Sequence, residues 1–144
     1  MTRSNKLAPV VEHVDRNEQS DLQAVSHSQQ QLTRQLAQLE QLTQYRQEYI
    51  ARRDKGPSCS AVMFSEFNRF IAQLDITIGQ QRAVVEAARR EVEYKTRKWQ
   101  SSRSRSDAMH KVVDRLHQHE ARQEARSEQK FMDEIALRSQ FKSQ

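Results

Sequence analysis

The sequence predicts an all-α protein: a long two-helix antiparallel coiled-coil hairpin whose second helix overhangs the first. Three observations carry that expectation. From Phe64 the chain steps by 3 and 4 through Phe67, Ile71, Leu74, Ile78, Gln81, Val85, Ala88, Val92, Lys95, Trp99, Ser102, Ser106, Met109, Val113 and Leu116. Twelve of these sixteen positions are apolar in a chain that is 35% hydrophobic, and such a 3.5-residue repeat keeps one stripe turned to a partner helix. Second, Gly56-Pro57 followed by Ser58-Cys59-Ser60 is the strongest break in the chain, because proline disfavours helical geometry at the residue before it. Third, another seam precedes the break: Leu22, Val25, Gln29, Leu32, Leu36, Leu39, Thr43, Arg46 and Ile50.

Helix one is predicted over about 7–54, with Pro9 tolerated in its first turn, where its missing N–H would be unpaired anyway. Extending its seam backwards meets Glu18 and then Val14 or Val11. The turn follows at about 55–60, with Ser58 or Ser60 placed to cap the next helix. Helix two is predicted over about 61–138, so that residues 1–144 form one coiled-coil domain. A helix from Ser60 to Leu116 alone would run ~85 Å at 1.5 Å per residue. Folding at residue 57 pairs positions whose numbers sum to about 114, which sets Leu39 against Leu74, Val25 against Ala88 and Tyr45 against Phe70. On that register everything after about residue 108 is uncovered, including Met109, Val113 and Leu116. Beyond Leu116 the seam turns polar through Glu120, Gln123, Ser127 and Lys130, before an isolated apolar group at Phe131, Met132, Ile135 and Leu137. Gly79 interrupts helix two as a tolerated defect or a close approach.

Composition excludes several functions. With 144 residues, 6% aromatics, two glycines and 30% charged side chains, there is no globular core to build. Gly56 and Gly79 lie too far apart for a phosphate-cradling loop. Cys59 has no histidine nearby in sequence and cannot form an internal disulfide, which fits a reducing compartment. His117 and His119 point to different helix faces, and His110 lies two turns from His117, so no metal site is expected. No apolar run suggests a signal peptide or a membrane span. Net charge is +5, and residues 82–115 hold ten Lys/Arg against five acids. That stretch reads as a solvated face or as a track for an acidic protein partner. Nucleic acid is disfavoured, because Glu86, Glu91 and Glu93 intervene and no aromatic platform accompanies the charges.

The best candidate for a binding surface is a shoulder beside the seam. Gln38, Leu42, Tyr45 and Tyr49 step by 4, 3 and 4 on helix one, and Phe70, Leu74, Thr77 and Gln81 repeat those steps on helix two. Aromatic side chains on the flank of a rigid helix pair suit protein contacts, although the same residues would also serve to widen the coiled-coil core.

Several sequence blocks resemble the flagellar FliJ family, the small coiled-coil components of the bacterial type III export apparatus. They are LAPVV at 7–11, LxxLxxYRQEY at 39–49, FxxFIxxLxxxIxQQ at 67–81, the lone Trp99, and EQKFMDE at 128–134. The resemblance implies a non-enzymatic protein with no cofactor, required for flagellum assembly and similar in fold to the two-helix stalk of the rotary ATPase gamma subunit. It implies as partners the hexameric export ATPase, the export-gate membrane protein and export chaperones, at the cytoplasmic side of the inner membrane. The family's gate-binding surface falls on Gln38, Leu42, Tyr45, Tyr49, Phe70, Leu74, Thr77 and Gln81. By the stalk analogy, Met109, Val113, Leu116, Phe131, Met132 and Ile135 would meet the ATPase ring. An equivalent stalk of a virulence secretion system and a generic coiled-coil scaffold are the alternatives. The hairpin reading predicts a free monomer of 17.0 kDa.

Overall fold

In a computed structural model, residues 2–55 and 60–143 are described, and they form two α-helices with no strand among them. Helix α1 runs Arg3–Asp54 and helix α2 Ala61–Lys142, and the two pack against each other. Most of the predicted turn at 55–60, including Gly56, Pro57, Ser58 and Cys59, lies outside the described residues. Its flank is visible: Ser60 Oγ accepts from the Met63 N–H at 3.2 Å, an N-cap for α2. Arg52 and Arg53 close α1, where cations complement the negative end of the helix dipole.

Helix α1 starts earlier than predicted. Thr2 accepts from the Asn5 N–H through its hydroxyl and from the Lys6 N–H through its carbonyl, so the cap lies at Thr2. Pro9 therefore stands inside the helix rather than in its first turn, and removes one backbone donor there.

By contact density the chain divides into Ser20–Trp99 and a second unit made of Met1–Gln19 with Gln100–Gln144. In Ser20–Trp99 the buried hydrophobic residues are Val25, Ile71, Leu74, Ile78 and Val85. The α2 seam is as predicted from Phe67 onward. Phe64 is exposed, because the first turn of α2 stands past the residues that α1 covers. On α1 the covered positions step through Val25, Ser28, Leu32, Gln35, Leu39, Leu42, Arg46, Tyr49 and Arg53. Three of the nine predicted α1 seam positions, Leu22, Gln29 and Leu36, face outward, while Ser28 and Gln35 face inward; the other six are covered as predicted. The inward polar groups are satisfied. Ser28 Oγ donates to the Val25 carbonyl, and Gln81 Nε2 donates to both the carbonyl and Oε1 of Gln35.

The register also differs from the predicted one. Tyr49 stacks on Phe70, a pair summing to 119, and Gln35–Gln81 and Arg46–Asp75 sum to 116 and 121. The shift of about five residues arises because α2 projects its first turn beyond the end of α1. Tyr45 is consequently not opposite Phe70, and Val25 is not opposite Ala88. Gly79 is exposed, and a Cβ there would meet nothing within 4 Å, so the glycine serves no close approach.

In the other unit, α1 covers α2 as far as Glu120, whose carboxylate accepts from the Ser4 N–H at 3.1 Å and the Ser4 hydroxyl at 2.6 Å. The uncovered stretch begins after Glu120 and not near residue 108, because α1 starts at Arg3 and the register is longer. Met109, Val113 and Leu116 are half-buried. From Ala121 to Ser143 every described side chain is exposed.

Candidate functional site

The structure gathers an aromatic cluster in the Ser20–Trp99 unit, where the end of α1 meets the start of α2. The Tyr49 ring lies 4.3 Å from the Phe70 centroid at 44° and 6.2 Å from that of Phe67 at 55°, both tilted arrangements that suit aromatic quadrupoles. Tyr49, Met63, Glu66, Phe67 and Phe70 line an open groove of about 300 Å³. Two guanidinium groups cap the cluster: Arg52 stands 5.3 Å over the Tyr49 ring and Arg53 5.7 Å over that of Phe64. Arg53 itself donates to the carboxylate of Asp54 and to the side-chain amide oxygen Oδ1 of Asn68. The groove thus has an apolar floor, cations on the α1 side and the Glu66 carboxylate on the other.

The eight predicted shoulder residues take different places. Gln38, Tyr45 and Phe70 are outward, Tyr45 at 46% and Phe70 at 43% exposure. Leu42 and Tyr49 are half-buried in the α1 seam itself. Leu74 is 8% exposed and belongs to the core. Thr77 is half-buried with its hydroxyl bonded to the Gln73 carbonyl, and the Gln81 amide is committed to Gln35. The exposed Val62, Met63 and Phe64, and Glu66 beside them, were missed. Their signal was present: Ala61–Phe64 is a four-residue apolar run directly after the break, and three of the five phenylalanines fall within 64–70.

The six residues expected at the ring split in the same way. Met109, Val113 and Leu116 are partly covered in the seam, whereas Phe131, Met132 and Ile135 are bare, Phe131 at 62%. Leu137 and Phe141 are bare as well. Along this stretch Glu120, Glu124 and Glu128 repeat at four residues, as do Arg122, Arg126 and Lys130, so like charges are stacked on each face.

The basic stretch of α2 is partly neutralised where it stands. Lys98 approaches Asp21 at 3.9 Å, Lys95 approaches Glu91, and Arg89 approaches Glu86. His110 bonds Asp15, and His117 lies 4.0 Å from Glu120. Among the described residues no group of three or more His, Cys, Asp or Glu side chains converges to hold a metal. None of the described helices is long and apolar enough to cross a membrane.

No characterised protein and no solved structure matched the chain. The sequence pattern of one family, described as Flagellar FliJ protein, matches residues 3–144. With two long packed helices beneath that match, the chain belongs to the flagellar FliJ protein family.

Proposed function

We propose that this protein is a non-enzymatic component of flagellar protein export that links the export ATPase ring to the export gate and to export chaperones, working at the cytoplasmic face of the inner membrane. The observation that carries the gate contact is the exposed aromatic surface on a rigid helix pair: Tyr45 and Phe70 stand outward, with Tyr49 stacked behind Phe70. Large aromatic anchors dominate protein interfaces, and leaving such a surface in water is unfavourable. Gln38, Tyr45 and Phe70 make the direct contact in this reading. Leu42, Tyr49, Leu74, Thr77 and Gln81 support it from the seam. The bare Phe131, Met132 and Ile135, together with Met109, Val113 and Leu116, form the ring contact.

The test is a pull-down with purified export gate. Tyr45→Ala or Phe70→Ala is expected to weaken gate binding by about tenfold or more, the loss typical of an interface anchor, while helicity is kept. Normal gate binding by both variants would end this assignment.

A further inference from the structure

The two units are held by different chemistry. Among the described residues, all five buried hydrophobic ones lie in Ser20–Trp99. In the other unit the buried side chains, among the described residues, are Ser4, Ser102 and Ser106. Among the polar contacts that tie residues 3–19 to α2 are two clusters. At one, the Glu120 carboxylate takes both the N–H and the hydroxyl of Ser4. At the other, Asp15 accepts from Ser106 Oγ at 2.6 Å and meets His110 Nε2 at 3.0 and 3.1 Å. Pro9 sits between the two ties and removes a backbone donor from the helix that joins them.

A segment fixed by solvent-accessible polar ties opens at far lower cost than one fixed by a buried apolar seam. Leu7, Val11 and Val14 occupy its covered positions, facing the stripe on which Met109, Val113 and Leu116 are half-buried. We propose that residues 3–19 are a strap that opens as a unit, while residues 20–99 stay packed, and thereby bares Met109, Val113 and Leu116. The strap is then a built-in cover over part of the surface assigned above to the ATPase ring. Only this last consequence rests on that assignment.

The experiment is native-state hydrogen exchange on the full chain. Amides of residues 3–19 are expected to exchange together, about tenfold or more faster than those of 25–50, because the apolar side chains that their opening bares are half-buried rather than fully buried. Asp15→Ala raises helix propensity locally, yet is expected to speed exchange about threefold throughout 3–19, through loss of one tie. Pro9→Ala is expected to slow it by about tenfold, because it restores a helix-interior donor. Residues 20–99 should be unchanged in both variants.

Equal protection of 3–19 and 25–50 would overturn the strap. So would a response to Asp15→Ala confined to the amides around residue 15, since that is local fraying. In a Cys59→Ser background, alkylation of Val113→Cys reads the cover directly and should accelerate with Asp15→Ala; an unchanged rate would also overturn the strap. If alkylation accelerates but binding to purified export ATPase does not rise, the strap stands and the ring assignment of these residues falls.

Discussion

Two isoleucines on one turn of α2 provide a controlled measurement of what holds the helices together. Ile78 is 5% exposed and Ile76 is 56% exposed, and only Thr77 separates them. Truncation to alanine removes the same atoms from the same helix. At Ile78 it deletes buried carbons facing α1, for which isoleucine-to-alanine changes cost about 2–5 kcal/mol. An interface between two helices has open flanks through which neighbours relax, so a value near 3 kcal/mol is expected. At Ile76 little burial is lost, and alanine gains a few tenths of a kcal/mol in helix propensity, so the change should stay within ~0.5 kcal/mol. For a chain of this size, ~3 kcal/mol corresponds to a fall in Tm of about 10 °C. Circular dichroism at 222 nm, followed through thermal and urea unfolding, reads both variants. Equal shifts, or a cost below about 1 kcal/mol at Ile78, would refute the reading that burial in this seam carries the stability.

Gly79→Ala should raise stability by about 1 kcal/mol, since the site has room for a methyl group and glycine is a poor helix residue; urea titration checks it. The register is tested in a Cys59-free background: Gln31→Cys with Ala88→Cys, which line one groove, should crosslink within a chain, whereas Val25→Cys with Ala88→Cys should not. Hydrogen bonds from Ser106 and from Ser4 hold the Asp15 and Glu120 carboxyls below their ordinary 3.8 and 4.5. A depressed folded-state pKa contributes stability above the unfolded value, which is lost as pH falls through the folded one. The protection factors of residues 3–19, corrected for the slower intrinsic exchange in acid, should therefore fall below about pH 4.5 before those of 25–50 do. Deleting residues 121–144 should leave the Tm unchanged, because every described side chain from Ala121 to Ser143 is exposed.

Much of the fold was legible in the sequence because α2 repeats one step without interruption and its seam residues are those that the structure covers. The α1 face was less legible for a physical reason. Leucines at 22, 32, 36 and 39 make an apolar stripe broader than the contact, and hydropathy cannot show that Gln35 turns inward when its partner is another glutamine, Gln81. The register was missed because a break at Gly56-Pro57 locates a turn, but not how far the next helix runs past it. The aromatic shoulder was legible from spacing at Tyr45, Tyr49 and Phe70. Met63 and Glu66 entered the groove only once Tyr49 was seen to stack on Phe70 rather than Tyr45. The buried serines Ser4 and Ser106 were not legible as tethers, because a small polar residue among covered positions looks like a gap until its carboxylate partner, Glu120 or Asp15, is placed opposite.

The uninterrupted spacing of the two seams constrains how the length of this protein can change over evolution. Inserting or deleting one residue within either seam would rotate everything beyond it by about 100° about the helix axis, turning covered side chains to water. A change of seven residues in one helix keeps the face but slides the helices, setting Gln81 against a new neighbour and leaving its amide to find another acceptor. Lineages that lengthen or shorten the paired region should do so in sevens, and in both helices at once. After Glu120 no facing helix among the described residues imposes a phase, so changes of length there leave the pairing of the two helices intact.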